Sequence, residues 1–136
     1  MSHVVDIELE VKSIPDLKKA CKKLGLTFKE NKKTYEWWGR HEGDYPLPEG
    51  FTVDEMGKCE HAIQIPGAHW EIGVVKKGKN YKLIYDFYGS EGKKIEKVCG
   101  ERLGKLKQAY TIESIKSECA KKKLPVKQRI LKTVAA

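Results

Sequence analysis

The chain has 136 residues, 40% hydrophobic and 34% charged, with 27 Lys and Arg against 19 Asp and Glu for a formal net charge of +8. That length suits a single domain over 1–136 that builds its core without disulfides or metal, and apolar runs such as Tyr81-Lys-Leu-Ile-Tyr-Asp-Phe-Tyr88 argue against disorder. No apolar stretch approaches the roughly 20 residues of a membrane span, and residues 1–5 lack the basic and apolar regions of a signal peptide, so no membrane association and a cytoplasmic setting are expected.

The elements follow in chain order. Val5, Ile7, Leu9 and Val11 alternate with Asp6, Glu8 and Glu10, the pattern of a half-buried strand. Ser13 suits a helix N-cap, with Pro15 and Asp16 in the first turn. Leu17, Ala20, Cys21 and Leu24 then fall on one helix face, lysines take the other, and Gly25 ends the run. Residues 26–30 and 34–38 read as a hairpin around Asn31-Lys32-Lys33. Trp37 and Trp38 are adjacent, so in a strand one points in and one out, and they form a candidate partner surface. Residues 39–58 are rich in Gly and Pro and read as a long loop.

His61–Ile65 reads as a short strand closed by Pro66-Gly67. The clearest hairpin follows, with Gly78-Lys79 as its two-residue turn. From about residue 93 the pattern becomes helical. Leu103, Leu106 and Tyr110 share one side, and Ile112, Ile115 and Cys119 another. The helix is either buried on two faces or bent near Tyr110-Thr111, and Pro125 ends it. Residues 126–132 alternate as a final edge strand. The expected fold is therefore α+β: one mostly antiparallel sheet of about six strands with two helices packed on it.

Charge is uneven along the chain. Residues 1–90 hold 14 basic and 14 acidic side chains, whereas residues 91–136 hold 13 against 5 and carry the whole excess. A field of one sign attracts phosphates or acidic surfaces. Lys121, Lys122 and Lys123 with Lys127 and Arg129 form the candidate anion-binding group. Without interleaved aromatics they suit nonspecific phosphate contact better than base reading. The plainer reading is a solvated face and a helix C-terminus complemented by cations.

Several stretches resemble a domain family of unknown function that includes the hypothetical chloroplast frame thirty-five proteins of plastids and cyanobacteria. The matching residues are Met1-Ser-His at the start, Lys58-Cys-Glu-His-Ala-Ile-Gln-Ile-Pro-Gly-Ala68, Glu71-Ile-Gly-Val-Val75, Tyr85-Asp-Phe-Tyr-Gly89 and Leu106-Lys-Gln-Ala-Tyr110, in that order along nearly the whole chain. The resemblance supplies no activity, cofactor or catalytic residue. It implies an adaptor role beside AAA-type ATPases.

No catalytic, metal or cofactor motif is recognisable in the residues themselves. One constellation is an acidic pair. A turn at Gly78-Lys79 sets residues whose numbers sum to 157 opposite each other, so Glu71 faces Asp86. Like charges so opposed are destabilising and require a cation, a shared proton or wide separation into water; the plainer reading is that a Lys or Arg from the basic third neutralises both. Cys59, His61 and His69 are ligand types, yet their spacing matches no standard zinc site. Cys59 or Cys99 as a nucleophile lacks a supporting turn. Three functions follow as expectations: a non-enzymatic binding or adaptor module with a protein partner, a nucleic-acid-associated protein using the basic third, and a metal-dependent hydrolase at Glu71 and Asp86.

Overall fold

The structure is a computed structural model and describes residues 3–39, 43 and 45–122. Within them the chain is α+β, with five strands in one sheet: β1 (Val4–Asp6), β2 (Thr27–Lys29), β3 (His61–Gln64), β4 (Glu71–Lys77) and β5 (Asn80–Asp86). The order across the sheet is β1-β5-β4-β3-β2, and every neighbouring pair is antiparallel. The strand expected at 126–132 lies outside the described residues. Because β1 and β2 run in the same direction at opposite margins, their connection must travel across the sheet. It does so as helix α1 (Ile14–Lys23).

Helix α1 is set by its caps. Ser13 Oγ accepts a hydrogen bond from the Asp16 amide at 3.3 Å, and Pro15 stands in the first turn, where its missing N–H matters least. At the other end Gly25 takes φ +74°, the Leu26 amide reaches back to the Cys21 carbonyl and the Gly25 amide to that of Lys22. This is a Schellman closure, completed by burying Leu26. Leu17, Ala20 and Cys21 face the sheet.

The C-terminal helical region is divided. Helix α2 (Gly89–Cys99) and helix α3 (Gly104–Lys122) flank a short 3-10 turn at Glu101–Leu103. Of the two alternatives, the bend near Tyr110-Thr111 is absent, and α3 passes through both residues. The chain turns earlier, where Gly100 (φ 86°), Arg102 (φ 52°) and Leu103 (φ 60°) enter the left-handed region. For residues other than glycine that conformation costs roughly 1–2 kcal/mol each. The buried Leu103 side chain and the Arg102 amide's bond to Glu96 Oε2 hold it. Tyr110 Oη accepts from the Lys12 amide at 2.9 Å, and Ser117 Oγ donates to the buried Asp16 carboxylate at 2.6 Å, so α3 lies against α1.

The two faces of the sheet are covered differently. On one, Ile63, Ile65, Ile72, Val74, Leu83 and Tyr85 pack beneath the three helices. On the other, Tyr35, Phe51, Met56 and Cys59 pack on Ala62, Val75 and Ile84. The second cover is the irregular excursion between β2 and β3. The hairpin expected over 26–38 does not form. Strand β2 pairs with β3 (Phe28 opposite Ile63), and the 34–38 stretch makes a single bridge, Thr34 to Lys58. The reason is space: Gly73 has no side chain, and the Tyr35 ring occupies that gap, so closely that a Cβ there would lie 2.5 Å from its Cδ1. No helix among the described residues is long and apolar enough to cross a membrane.

Candidate functional site

The β4–β5 hairpin has the register read from its turn: Lys77 is opposite Asn80, Val74 opposite Leu83 and Gly73 opposite Ile84. Glu71 and Asp86, each two residues further on, therefore share the excursion-covered face. Both are buried, Glu71 at 2% and Asp86 at 0% exposure. Their surroundings differ. Lys32 Nζ lies 2.5 Å and Lys29 Nζ 3.0 Å from the Glu71 carboxylate, and the Glu36 amide donates at 3.1 Å. Burial raises the pKa of this carboxyl, but the two ammonium groups and the amide outweigh it, and the net position is below the usual range. The neutralising lysines come from β2 and the turn after it, not from the basic third of the chain.

Asp86 has no ammonium partner among the described residues. Its Oδ1 accepts from the His3 amide at 3.0 Å and the Tyr88 amide at 3.1 Å. Oδ2 is buried without a partner at hydrogen-bond geometry among the described residues. Burial is the largest influence and raises the pKa; the amides of His3, Tyr88 and Trp38 pull it back only in part. The carboxyl joins the N-terminal stretch to the β5–α2 corner. Around that joint His3 stacks on Tyr45 at 4.9 Å and meets Tyr88 edge-on at 4.6 Å. With Glu71 already neutralised and Asp86 facing amides, the two carboxylates leave no shared cation to be required.

The two tryptophans sit in different surroundings, in a stretch that is not a strand beyond the Thr34 bridge. Trp37 lies against Gly57 and the Tyr35 ring. Trp38 is 46% exposed. Together with Trp70, Tyr88 and residues 89–91 it lines an open concavity of about 490 Å³. Tyr88 is itself 37% exposed and Trp70 half-buried. Trp70 precedes β4 and Tyr88 follows β5, so the hairpin fixes two walls and the excursion supplies the third. Trp70 stands just before β4, packed against the helix-side core and at the same time lining this cavity.

The remaining candidates disperse. Cys59 sits in the core on the excursion side, its thiol directed at the Lys32 carbonyl, whereas His61 is wedged between Phe28 and Tyr81 on the helix side. A bend at Glu60 breaks the alternation that would have put the two on one face. No group of three His, Cys, Asp or Glu side chains suited to a metal is gathered among the described residues. All four cysteines are free and buried. Burial is the main cause that pushes the thiols of Cys21, Cys59 and Cys99 up to about 12, which keeps them protonated and weakly nucleophilic. Lys121 and Lys122 are exposed at the end of α3, where Lys122 pairs with Glu118 at 2.8 Å. Lys123, Lys127 and Arg129 lie outside the described residues. Lys94 and Lys116 are likewise paired with acids, Glu91 and Glu113.

Comparison of the chain with protein-family models, with curated proteins and with solved structures finds no match.

Proposed function

We propose that the protein is a non-enzymatic binding or adaptor module of the cytosol whose partner protein seats an apolar side chain between Trp38, Trp70 and Tyr88. The observation that carries this reading is three large aromatic side chains around one open concavity, two of them substantially exposed. Large aromatics left in water at a concave site are the usual anchors of protein interfaces, because each buries much area at little cost in side-chain freedom. The attachment of Trp70 and Tyr88 to the two ends of the β4–β5 hairpin supports the same reading. An AAA-type ATPase, the partner implied by the resemblance to the hypothetical chloroplast frame thirty-five family, is the first to test.

The test is capture of partners by the immobilised protein from a native extract treated with nuclease, at low and high salt, beside Trp38→Ala and Tyr88→Ala variants of unchanged melting temperature. A partner held through the aromatic cavity persists at high salt and is lost with both variants. Capture that collapses with nuclease, or falls by orders of magnitude with salt, favours nucleic-acid association through the basic third instead. Capture indifferent to Trp38 and Tyr88 overturns the aromatic site.

A further inference from the structure

The corner that follows β2 is held by residues at the start of β3. The Asn31 amide donates to His61 Nδ1 at 2.9 Å. The Cys59 thiol donates to the Lys32 carbonyl at 3.2 Å, and the Cys59 amide to the Lys33 carbonyl at 2.9 Å. Asn31 is in the left-handed region at φ 61°, a conformation that asparagine tolerates better than most residues yet that still has to be held.

The histidine bond fixes a protonation state. An amide N–H only donates, so Nδ1 carries the lone pair and the proton of the neutral ring sits on Nε2. A second proton has to go on Nδ1, where it meets the Asn31 N–H. His61 is 8% exposed, with the Phe28 ring at 5.3 Å and the Tyr81 ring at 5.8 Å. The charged groups around it are Glu30 and Lys33 of the corner, Lys18 of α1 and Glu60 in the bend before β3. Lys18 and Glu30 pair with each other at 2.7 Å. The acids favour a charged ring and the lysines oppose it. Burial is the largest influence and holds the pKa below the ordinary histidine value. The two Cys59 bonds do not share this sensitivity, because burial pushes that thiol up to about 12.

We propose that His61 is a proton-operated latch on the Asn31 corner. Neutral, it holds the corner against the sheet. Protonated at Nδ1, it no longer accepts, and the Asn31 amide turns out to water while Cys59 keeps Lys32 and Lys33 in place. The opening is local, and it lies where the chain leaves β2 for the excursion. The folded state prefers the neutral ring. The contribution of the latch to stability is therefore complete above the unfolded histidine value of roughly 6.5 and is lost as pH falls through the lower folded value. The latch is separate from the aromatic cavity and does not rest on it.

The test uses the whole protein labelled with nitrogen-15, titrated from pH 8 to pH 5. Ring nitrogen shifts read the tautomer and charge of His61. Amide exchange with solvent, corrected for its intrinsic pH dependence, reads Asn31. The neutral ring is expected to carry its proton on Nε2 and to titrate below the value of an unfolded histidine. Protection of the Asn31 amide is expected to fall about tenfold or more as His61 charges, while that of the Cys59 amide holds. His61→Gln puts a non-titrating acceptor within reach and is expected to make Asn31 protection flat across the range. His61→Phe removes the acceptor and is expected to leave protection low throughout. If either variant fails to fold, the ring shifts and Asn31 exchange of the parent protein still decide. The proposal is overturned by a neutral ring protonated on Nδ1, by titration above the unfolded value, by Asn31 protection that does not follow the titration of His61, or by the same pH dependence in His61→Gln.

Discussion

The two faces of the sheet are closed by different means. On the helix side, periodic elements deliver apolar side chains, and the buried layer there contains Ile63, Ile72, Val74 and Leu83. On the excursion side the cover is irregular backbone. It brings polar groups inward with it: the Glu71 carboxylate among lysines, the Asp86 carboxyl among amides, and a Tyr35 hydroxyl buried without a partner at hydrogen-bond geometry among the described residues. A helix satisfies its own backbone and needs only a greasy stripe, whereas a loop must find partners for N–H and C=O groups as it goes. Side-chain carboxylates buried under such a loop are therefore structural acceptors first.

Substitutions sharpen this contrast. Ile72→Ala, under the helices, removes a fully buried side chain from a layer that cannot collapse around it, and is expected to lower unfolding free energy by about 3–4 kcal/mol in urea titration. Glu71→Gln keeps the shape but strands two lysines. Since both lysines retain water contact, the loss is about 2–3 kcal/mol, below that of a fully enclosed pair. A loss as large as that of Ile72→Ala would mean the excursion is as rigid as the helices. Gly73→Ala presses a methyl against the Tyr35 ring and is expected to cost about 1–2 kcal/mol, with a change in near-ultraviolet circular dichroism as the ring shifts.

The smallest effect has the opposite sign. Asp86→Asn removes a buried charge while keeping an acceptor for the His3 and Tyr88 amides, so at neutral pH it is expected to be neutral or stabilising by up to about 1 kcal/mol. The pH dependence separates the two carboxyls. Asp86 titrates above its unfolded value, so its contribution is most favourable at low pH and fades as pH rises through the folded pKa. Glu71 titrates below its unfolded value, so its contribution is present above the ordinary carboxylate range and is lost as pH falls through the folded pKa. Urea titrations from pH 3 to pH 8 should show Asp86→Asn steepening the gain of stability with pH and Glu71→Gln flattening it. Parallel curves for both variants and the parent would refute these assignments.

Local signals made much of this fold legible. Ser13 and Gly25 marked the ends of α1, and Gly78-Lys79 set the register that places Glu71 and Asp86 on one face. What escaped depended on contacts distant in the chain. The pairing of Phe28 with Ile63 across the whole excursion overrides the nearby hairpin, and the Tyr35 ring over Gly73 leaves no local trace. The break at Gly100 was hinted at by two glycines four residues apart, but left-handed Arg102 and Leu103 obey no propensity. The aromatic cavity was half visible: Trp38 announced itself by standing beside Trp37, while Trp70 and Tyr88 looked like ordinary strand residues. The bond from the Asn31 amide to His61, 30 residues away, was hidden in the same way, since nothing local to either residue announces it.

The placement of β1 next to β5 has a consequence for how the protein is made. Val4 finds its neighbour Asp86 only after some eighty further residues have been synthesised, a separation of 83 for the His3–Asp86 bond. At ordinary translation speeds of roughly 5–20 residues per second that interval is on the order of 4–16 seconds. Throughout it Val4, Val5 and Ile7 wait beside the ribosome with neither margin paired, and the sheet closes at that end only when the β4–β5 hairpin has emerged.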